Sequence, residues 1–198
     1  MAKSVSSSPR SSAIPLVERL SRIMHNAAYA EGLKPTQWEA LRYIARANHF
    51  SRNPGALTSY LGTTKGTVSQ TLHALERKQL IEKHASKNDR RGVQLELTAE
   101  GRKLLERDPL LTVERTLERQ PRSERQSVED GLQTLLHALL EERSGKPFGI
   151  CKNCTHFKRE GGGEEEWPHF CQLLQVPLSR EDSDDNCIEQ ETPRKNRH

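Results

Sequence analysis

The stretch that decides the fold is GTVSQTLHALERKQLI, residues 66–81. On a helix of about 3.6 residues per turn, Val68, Leu72 and Leu75 fall within about 60° of one another and predict a buried side. The opposite side has only small, polar or basic residues, namely Gly66, Ser69, Gln70, His73 and Arg77. Ser, Gln and His can reach base edges in a DNA groove, whereas a merely solvated face more often has Glu and Lys pairs. We therefore interpret residues 64–78 as a recognition helix.

Helical patterns also precede and follow this segment. Apolar residues at helical spacing predict helices at 14–29 and 35–45, and a short helix that opens at Pro54. Further along the chain, the same periodicity predicts helices at about 109–119 and 122–143. The fold class that follows is mainly α.

A β-hairpin is predicted directly after the recognition helix. Val93, Leu95 and Leu97 alternate with polar residues, which indicates a strand with one buried face. The segment KNDRRG at 87–92 has the chemistry of a turn and predicts a basic hairpin tip. We expect Thr98 to cap the following helix, with Gly101 packed closely inside it.

The last predicted helix has an apolar stripe that needs a partner. The stripe consists of Val128, Leu132, Leu135, Leu136, Leu139 and Leu140. Packing within one chain would cover it, but little other core is available, so we expect a dimer interface. The segment 144–150 contains three of the chain's glycines and prolines and is predicted to be a linker.

The charge is unevenly spread along the 198 residues. Residues 151–198 contain 7 Lys/Arg and 10 Asp/Glu, a net charge of −3, which leaves +7 for residues 1–150. A basic front part indicates nucleic acid as a partner. No apolar run approaches the roughly 20 residues that cross a bilayer. The sequence also lacks the nucleotide-binding glycine pattern and the hydrolase and zinc-protease motifs of common enzymes, so we expect no enzyme.

Four cysteines lie in the last quarter of the chain, and the first 150 residues contain none: Cys151, Cys154, Cys171 and Cys187. A cytoplasmic protein keeps its thiols reduced, so we expect these residues to be metal ligands rather than disulfides. Single cysteines at long, unequal spacings are common in iron–sulfur sites, which makes an iron–sulfur cluster our first prediction. A structural zinc site with four thiolates is the second, and the spacing does not separate the two.

Two further possibilities concern the same tail. His156 and His169 lie beside the cysteines and are candidates to replace a ligand or to support one. Uncoordinated cysteines in a disordered tail are the third interpretation. We place it last because the tail offers a small apolar core that needs a staple, formed by Trp167, Phe170, Leu173, Leu174, Val176 and Leu178.

The order of these segments resembles a known family. The segment at 33–41, the recognition helix with its exit at 66–81, and the segments 88–91 and 95–101 are similar to the winged helix-turn-helix of MarR-type transcription regulators. The resemblance covers residues 14–143 and implies a homodimer joined by its N- and C-terminal helices, with two recognition helices in successive major grooves. At Gln79 the family often has Gly, so we expect a turn of different shape there. The four-cysteine tail is outside the family pattern.

The predicted DNA contacts come from the recognition helix and the wing. Gln70 is expected to read adenine, and Ser69 and His73 to touch bases or phosphates. Thr63, Thr64 and Lys65 lie at the helix N-terminus, where phosphate oxygens bind favourably. Arg90 or Arg91 is expected to enter the minor groove, while the other arginine pairs with Asp89.

We thus predict an α+β chain with a mainly helical winged domain, a small β-hairpin wing and a cysteine tail. Residues 1–12 are a disordered lead-in, 13–143 the winged domain with its dimerisation helices, 144–150 a linker and 151–198 the tail. The predicted function is a cytoplasmic, dimeric repressor that binds a pseudo-palindromic operator in double-stranded DNA. Its thiolate centre would modulate that binding in response to oxidant, iron or a thiol-reactive species. The alternative is a regulator that senses a small organic ligand, with a purely structural zinc site.

Overall fold

The computed structural model describes residues 12–85 and 92–191, and the helices and strands follow the predicted order. The predicted lead-in up to residue 11 and most of the hairpin tip, residues 86–91, lie outside the described ranges. The winged part consists of α1 (Ala13–Ala27), α2 (Pro35–Arg46), α3 (Pro54–Leu61), α4 (Lys65–Arg77), β1 (Ile81–Ala85), β2 (Val93–Leu97), α5 (Ala99–Leu105), α6 (Leu111–Glu118) and α7 (Arg122–Glu142). The prediction of a mainly helical fold with a β-hairpin is confirmed.

Helix α2 lies at the centre of the main core. Its side chains Trp38, Leu41 and Ile44 are buried and belong to one apolar cluster. Further large members of this cluster come from α3, α4 and the hairpin, among them Leu57, Val68, Leu72, Leu75, Ile81 and Leu95. This packing leaves the opposite face of α4 on the outside. Of the helices in the described ranges, none is long and apolar enough to span a membrane.

The hairpin and the helix after it are held as the sequence predicts. Strands β1 and β2 pair antiparallel, with Ile81 opposite Leu97. The Thr98 hydroxyl accepts a hydrogen bond from the Gly101 N–H at 3.0 Å and caps α5. A Cβ atom on Gly101 would lie 2.1 Å from the Leu80 carbonyl oxygen, so only glycine fits this contact.

The turn at Gln79 corrects one expectation. Gln79 has a φ of +57°, the left-handed conformation that glycine usually supplies at the end of a helix. The Gln79 N–H bonds to the Glu76 carbonyl at 2.9 Å, and the Leu80 N–H bonds to the Leu75 carbonyl at 3.0 Å. This pair of bonds closes the helix as it does with glycine. The turn therefore keeps its shape, and the strain falls on Gln79.

The tail forms two small sheets that the sequence pattern did not predict. Its elements are β3 (Gly149–Ile150), β4 (Phe157–Lys158), β5 (His169–Cys171), β6 (Val176–Leu178), α8 (Arg180–Asp184) and β7 (Asn186–Cys187). Strand β3 pairs with β7, and β4, β5 and β6 form the second sheet. The predicted apolar core of the tail is only partly present, because Leu178 is buried whereas Leu173 and Leu174 are exposed.

The segment predicted as a linker packs against the winged domain. The Phe148 ring lies edge-on to Tyr43 and Tyr60, with ring centroids 6.1 and 5.1 Å apart. Gly149 and Ile150 already belong to the tail sheet. The chain between α7 and the cysteines therefore contacts α2 and α3.

Candidate nucleic-acid interface and thiol cluster

The outer face of α4 is open to solvent, as the periodicity predicts. Ser69, Gln70, His73 and Arg77 are exposed, while Val68 on the other side is buried. The exposed side chains can therefore contact a large ligand without any displacement of the core. A helix that protrudes in this way fits the width of a DNA major groove.

The N-terminus of α4 supplies donors beside a basic residue. The Thr64 hydroxyl caps the helix by accepting the Thr67 N–H at 3.2 Å. Thr64 and Lys65 are exposed and Thr63 is half-buried. The positive end of the helix dipole and the Lys65 charge thus face the same solvent region, which suits a phosphate group.

An ion pair that the sequence pattern did not reveal lies beside His73. The Lys83 ammonium is 2.8 Å from a carboxylate oxygen of Glu76 and 3.5 Å from Nδ1 of His73. The hydrogen bond from Lys83 lowers the pKa of Glu76, with smaller contributions from the charges of Lys83 and His73. Since Lys83 is on β1, this pair joins the recognition helix to the base of the wing.

The wing arginines stay a prediction. Arg90, Arg91 and their suggested partner Asp89 lie outside the described residues. The strands that lead to them are in place, because Ala85 pairs with Val93 at the end of the hairpin ladder.

The four predicted cysteines come together around one small cavity in the tail. Cys151 and Cys187 are buried, and Cys154 and Cys171 are half-buried. The cavity is also lined by His156, Phe157, Leu173, Leu178 and Glu189. Residues that are up to 36 positions apart in the sequence thus present their side chains to the same space.

Each of the four sulfur atoms accepts at least one N–H hydrogen bond. Backbone N–H groups donate to three of them, from Glu191 to Cys154 at 3.4 Å, from Leu174 to Cys171 at 3.5 Å and from Glu189 to Cys187 at 3.4 Å. The fourth donor is the side-chain amide of Asn48, which lies 3.2 Å from Cys151 Sγ. Donors directed at sulfur favour the thiolate form, which is the form that binds metals.

Two of the thiols form a coupled pair. A hydrogen bond between the side chains lowers the pKa of Cys187 to about 6 and raises the pKa of Cys151 well above its ordinary value. The value for Cys187 also includes burial, which raises the pKa of both groups, and the hydrogen bonds from the Glu189 N–H and from the Asn48 and Ser51 side chains, which lower it. The surroundings therefore favour the thiolate form on Cys187 over the thiolate form on Cys151.

The donor set suits a thiophilic metal, although the ligands are not yet closed into a cage. Within residues 12–85 and 92–191, no three His, Cys, Asp or Glu side chains are already arranged to hold a metal ion. Of the two histidines considered from the sequence, His156 lines the cavity and bonds to Glu191 at 3.1 Å. His169 instead accepts the Glu160 N–H at 3.4 Å.

Sequence reasoning missed the residues that join the tail to the winged domain. They lie in the loop between α2 and α3, at 47–53, and make hydrogen bonds to residues more than 100 positions away. Asn48 contacts Cys151, His49 contacts Asp182, and Ser51 accepts the Ile188 N–H at 3.0 Å. A polar loop after an amphipathic helix gives no signal for such contacts.

Two other surfaces have the character of binding sites. The apolar residues of α1 and α7 are exposed, among them Ile23 at 62% and Leu132 at 56%. A cavity of about 390 Å³ lies between α1, α2 and α3, lined in part by His25, Arg46 and Tyr60.

The comparisons with known proteins agree with the fold. Residues 31–92 match the model of the MarR family. The structure of an S. aureus MepR–DNA complex is 26% identical with a TM-score of 0.52, over 63% of this chain and 96% of that chain. A MarR transcriptional regulator from Methanosarcina mazei Go1 is 20% identical with a TM-score of 0.52, over 65% and 94% of the two chains, and supports the fold alone. The curated proteins gave no match.

The family match ends well before the four cysteines, so the tail has no counterpart in it. The winged part of the chain is similar to MarR-family regulators, in sequence over residues 31–92 and in fold. Proteins of this family are regulators and not enzymes, in agreement with the sequence-based expectation.

Proposed function

We propose that this chain, with its winged-helix domain of MarR type, is a homodimeric repressor that binds a pseudo-palindromic operator in double-stranded DNA. The observation that supports this most is the solvent-exposed face of α4, where Ser69, Gln70 and His73 are free to reach bases. The similar MepR structure in complex with DNA supports the same assignment. The cytoplasmic location expected from the reduced thiols stays a prediction.

A salt titration tests the DNA contact. Residues 1–150 have a net charge of +7, so several Lys and Arg side chains are available to displace counterions. The logarithm of the binding constant should fall with the logarithm of salt by about 0.9 per phosphate contact. A response that stays flat from low to physiological salt would contradict binding through phosphates.

The dimer is proposed from the exposed apolar stripes on α1 and α7. Five large apolar residues of α7, among them Leu132 and Leu136, are at least 42% exposed in the single chain. A surface of this kind on a soluble protein is usually covered by a partner. A second copy is the partner that the resemblance implies.

Matched charge substitutions on α7 test this interface. Leu132→Glu places a charge in the stripe and should give a monomer in sedimentation experiments. Gln133→Glu adds the same charge at the next position, outside the stripe, and should leave the dimer intact. Deletion of residues 145–198 should also leave the dimer intact, since the stripe lies upstream of residue 145. Loss of dimerisation in this variant would show that the tail forms part of the interface.

We further propose that Cys151, Cys154, Cys171 and Cys187 hold a thiolate-ligated centre that modulates operator binding. Four thiols around one cavity, each with an N–H donor, are the supporting observation. Such a centre supplies a reversible, oxidant-sensitive link between distant parts of the chain when it is bound. Cys151 and Cys154 would reach it from the short helical turn after β3, Cys171 from β5 and Cys187 from β7.

Metal analysis would distinguish an iron–sulfur cluster from a single zinc ion in the thiol site. An iron–sulfur cluster is the prediction from the cysteine spacing. The alternative is a single zinc ion, which four thiolates hold in a tetrahedral site. Anaerobically purified protein that is brown would support the cluster, and colourless protein with stoichiometric zinc would support the single ion.

The four cysteines should act as one unit. Each single Cys→Ser substitution leaves an incomplete ligand set and should remove most of the metal and expose residues 151–187 to protease. Normal metal content in one variant would remove that cysteine from the ligand set and make His156 the next candidate.

A second candidate function is the sensing of a small organic ligand, with zinc as a structural staple. The cavity of about 390 Å³ between α1, α2 and α3 favours it, since ligand sites commonly have this size. Arg46 and Tyr60 at its edge suit an aromatic acid. Benzoate-type probes should then weaken operator binding even after removal of the tail metal, and no effect would argue against this site.

A further inference from the structure

One side chain of the winged domain reaches into the thiol cluster. Asn48 is fully buried, and its two amide atoms have different partners. Nδ2 donates to Cys151 Sγ at 3.2 Å, and Oδ1 accepts the Ser51 N–H at 3.0 Å. Cys151 thus receives from the winged domain the kind of donor that the other three sulfurs receive from the tail itself.

The backbone around Asn48 is also joined to the segment that contains Cys187. The Asn48 N–H donates to the Asn186 carbonyl at 2.9 Å, and Ala47 forms a parallel β-bridge with Asn186. On the other side of Cys187, the Ile188 N–H donates to the Ser51 hydroxyl. Both chain neighbours of Cys187 are therefore bonded to the loop 47–53.

The same loop positions two elements of the DNA-binding domain. The Asn53 side chain caps α3 by accepting the Ala56 N–H at 2.9 Å. The Arg52 carbonyl accepts the Leu95 N–H at 2.8 Å, and the His49 carbonyl accepts the side-chain amide of Gln94 at 2.9 Å. Since Gln94 and Leu95 belong to β2, the loop holds both the start of the helix-turn-helix and the base of the wing.

We propose that Asn48 is a positioning residue of the thiol site and that the loop 47–53 links occupation of that site to operator binding. This inference rests on the proposed function, and it specifies the residues through which the thiol site would affect operator binding. Fixed sulfur positions would hold Asn48 and the loop in one conformation before DNA binds. Less conformational freedom is then lost on binding, so occupation of the thiol site tightens the complex.

Coupling between Zn²⁺ binding and duplex binding can be measured in the wild-type protein. Full-length protein, reduced and metal-free, is compared with the same protein loaded with Zn²⁺, on a duplex that the loaded protein selects from a random library. We expect Zn²⁺ to tighten duplex binding at least about 5-fold, and the duplex to tighten Zn²⁺ binding by the same factor, because coupling between two sites is reciprocal. Backbone amides of 47–53 should exchange more slowly with Zn²⁺ present.

A matched pair of variants tests the route. Asn48→Asp keeps the acceptor for Ser51 but replaces the donor to sulfur with a carboxylate oxygen. It should reduce Zn²⁺ affinity about 10- to 100-fold and bring the effect of bound Zn²⁺ on duplex binding close to none. Asn153→Ala, an exposed Asn between Cys151 and Cys154, should keep the wild-type linkage.

The outcomes separate this inference from the proposed function. Failure of the wild-type protein to bind any duplex would overturn the proposed function, and failure to bind Zn²⁺ would overturn the inference about Asn48 and the thiol site. If Zn²⁺ tightens duplex binding equally in the wild type and in Asn48→Asp, the role of Asn48 is overturned, whereas the proposed regulator with a thiolate centre is not. Equal or weaker duplex binding of the Zn²⁺-loaded wild type would overturn the inferred link itself. Circular dichroism of both variants distinguishes any of these results from misfolding.

Discussion

His49 and Asp182 form a direct contact between the winged domain and the tail, with His49 Nδ1 2.7 Å from Asp182 Oδ1. The same carboxylate oxygen accepts the His49 backbone N–H at 3.2 Å. Burial would raise the pKa of Asp182, but the bonds from His49 and Ser179 outweigh it and lower the pKa to about 2. The ionised carboxylate therefore stabilises the docked tail.

This contact predicts acid-sensitive docking. A depressed pKa means that the stabilisation is present above the unfolded value of about 3.9 and is lost as the pH falls toward 2. Asp182→Asn should weaken docking at neutral pH by about 2 kcal/mol, or roughly 30-fold in tail opening measured by proteolysis. Asp184→Asn, an exposed Asp on the same helix, should have little effect. Equal proteolysis of the two variants would argue against the His49 contact.

A side chain at position 101 should greatly reduce the free energy of unfolding. The added methyl group in Gly101→Ala would lie 2.1 Å from the Leu80 carbonyl oxygen, so α5 must move away from the strand entry. We expect a loss of about 3 kcal/mol in urea unfolding. In Gly66→Ala the new Cβ meets only the Thr64 hydroxyl at 3.8 Å, and stability should stay the same or rise slightly. Similar stability of the two variants would contradict the close contact.

Gln79 predicts a gain of stability. The left-handed backbone at Gln79 is unfavourable for a residue with a side chain, and glycine would remove this strain. Part of the gain is offset because glycine has more conformational freedom in the unfolded chain. Gln79→Gly should therefore stabilise the protein by about 0.5–1 kcal/mol. At the preceding Lys78, where φ is −83°, the change to Gly should destabilise it by a similar amount. A loss of stability at both positions would show that the Gln79 turn is not strained.

Gln70 predicts a change in sequence preference. It is exposed on the outer face of α4, where a bidentate contact to adenine is possible. Gln70→Ala should relax the preference at one position of each half-site by about 1–3 kcal/mol, measured by competition between duplexes. Gln120→Ala, an exposed Gln in the turn after α6, should leave the preference unchanged. An unchanged preference in Gln70→Ala would remove this residue from base reading.

The helices and the hairpin were predictable because their patterns are local. The buried set Val68, Leu72 and Leu75 follows from helical spacing alone, and the Thr98 cap follows from residue chemistry at a boundary. The turn at Gln79 was predicted wrongly, since the bonds that close α4 impose the left-handed conformation in spite of the missing glycine.

The sequence pattern does not predict the short strands of the tail or the contacts of the tail with the winged domain. Strands of two or three residues, such as Asn186–Cys187, are too short to show a period. The confinement of the cysteines to the tail predicts one shared site; the structure places all four around one cavity, and the bound metal stays a prediction. The contact between Asn48 and Cys151 joins residues 103 positions apart, and no local rule relates them.

Hydrogen exchange of the Zn²⁺-loaded protein with and without its selected duplex tests whether α4 and the loop 47–53 take part in DNA binding. We expect slower exchange at 63–70, where the first amides of α4 would face phosphates, and at 47–53, where the loop joins the thiol site to the DNA-binding domain. Unchanged exchange at 63–70 in a protein that binds the duplex would contradict recognition through α4.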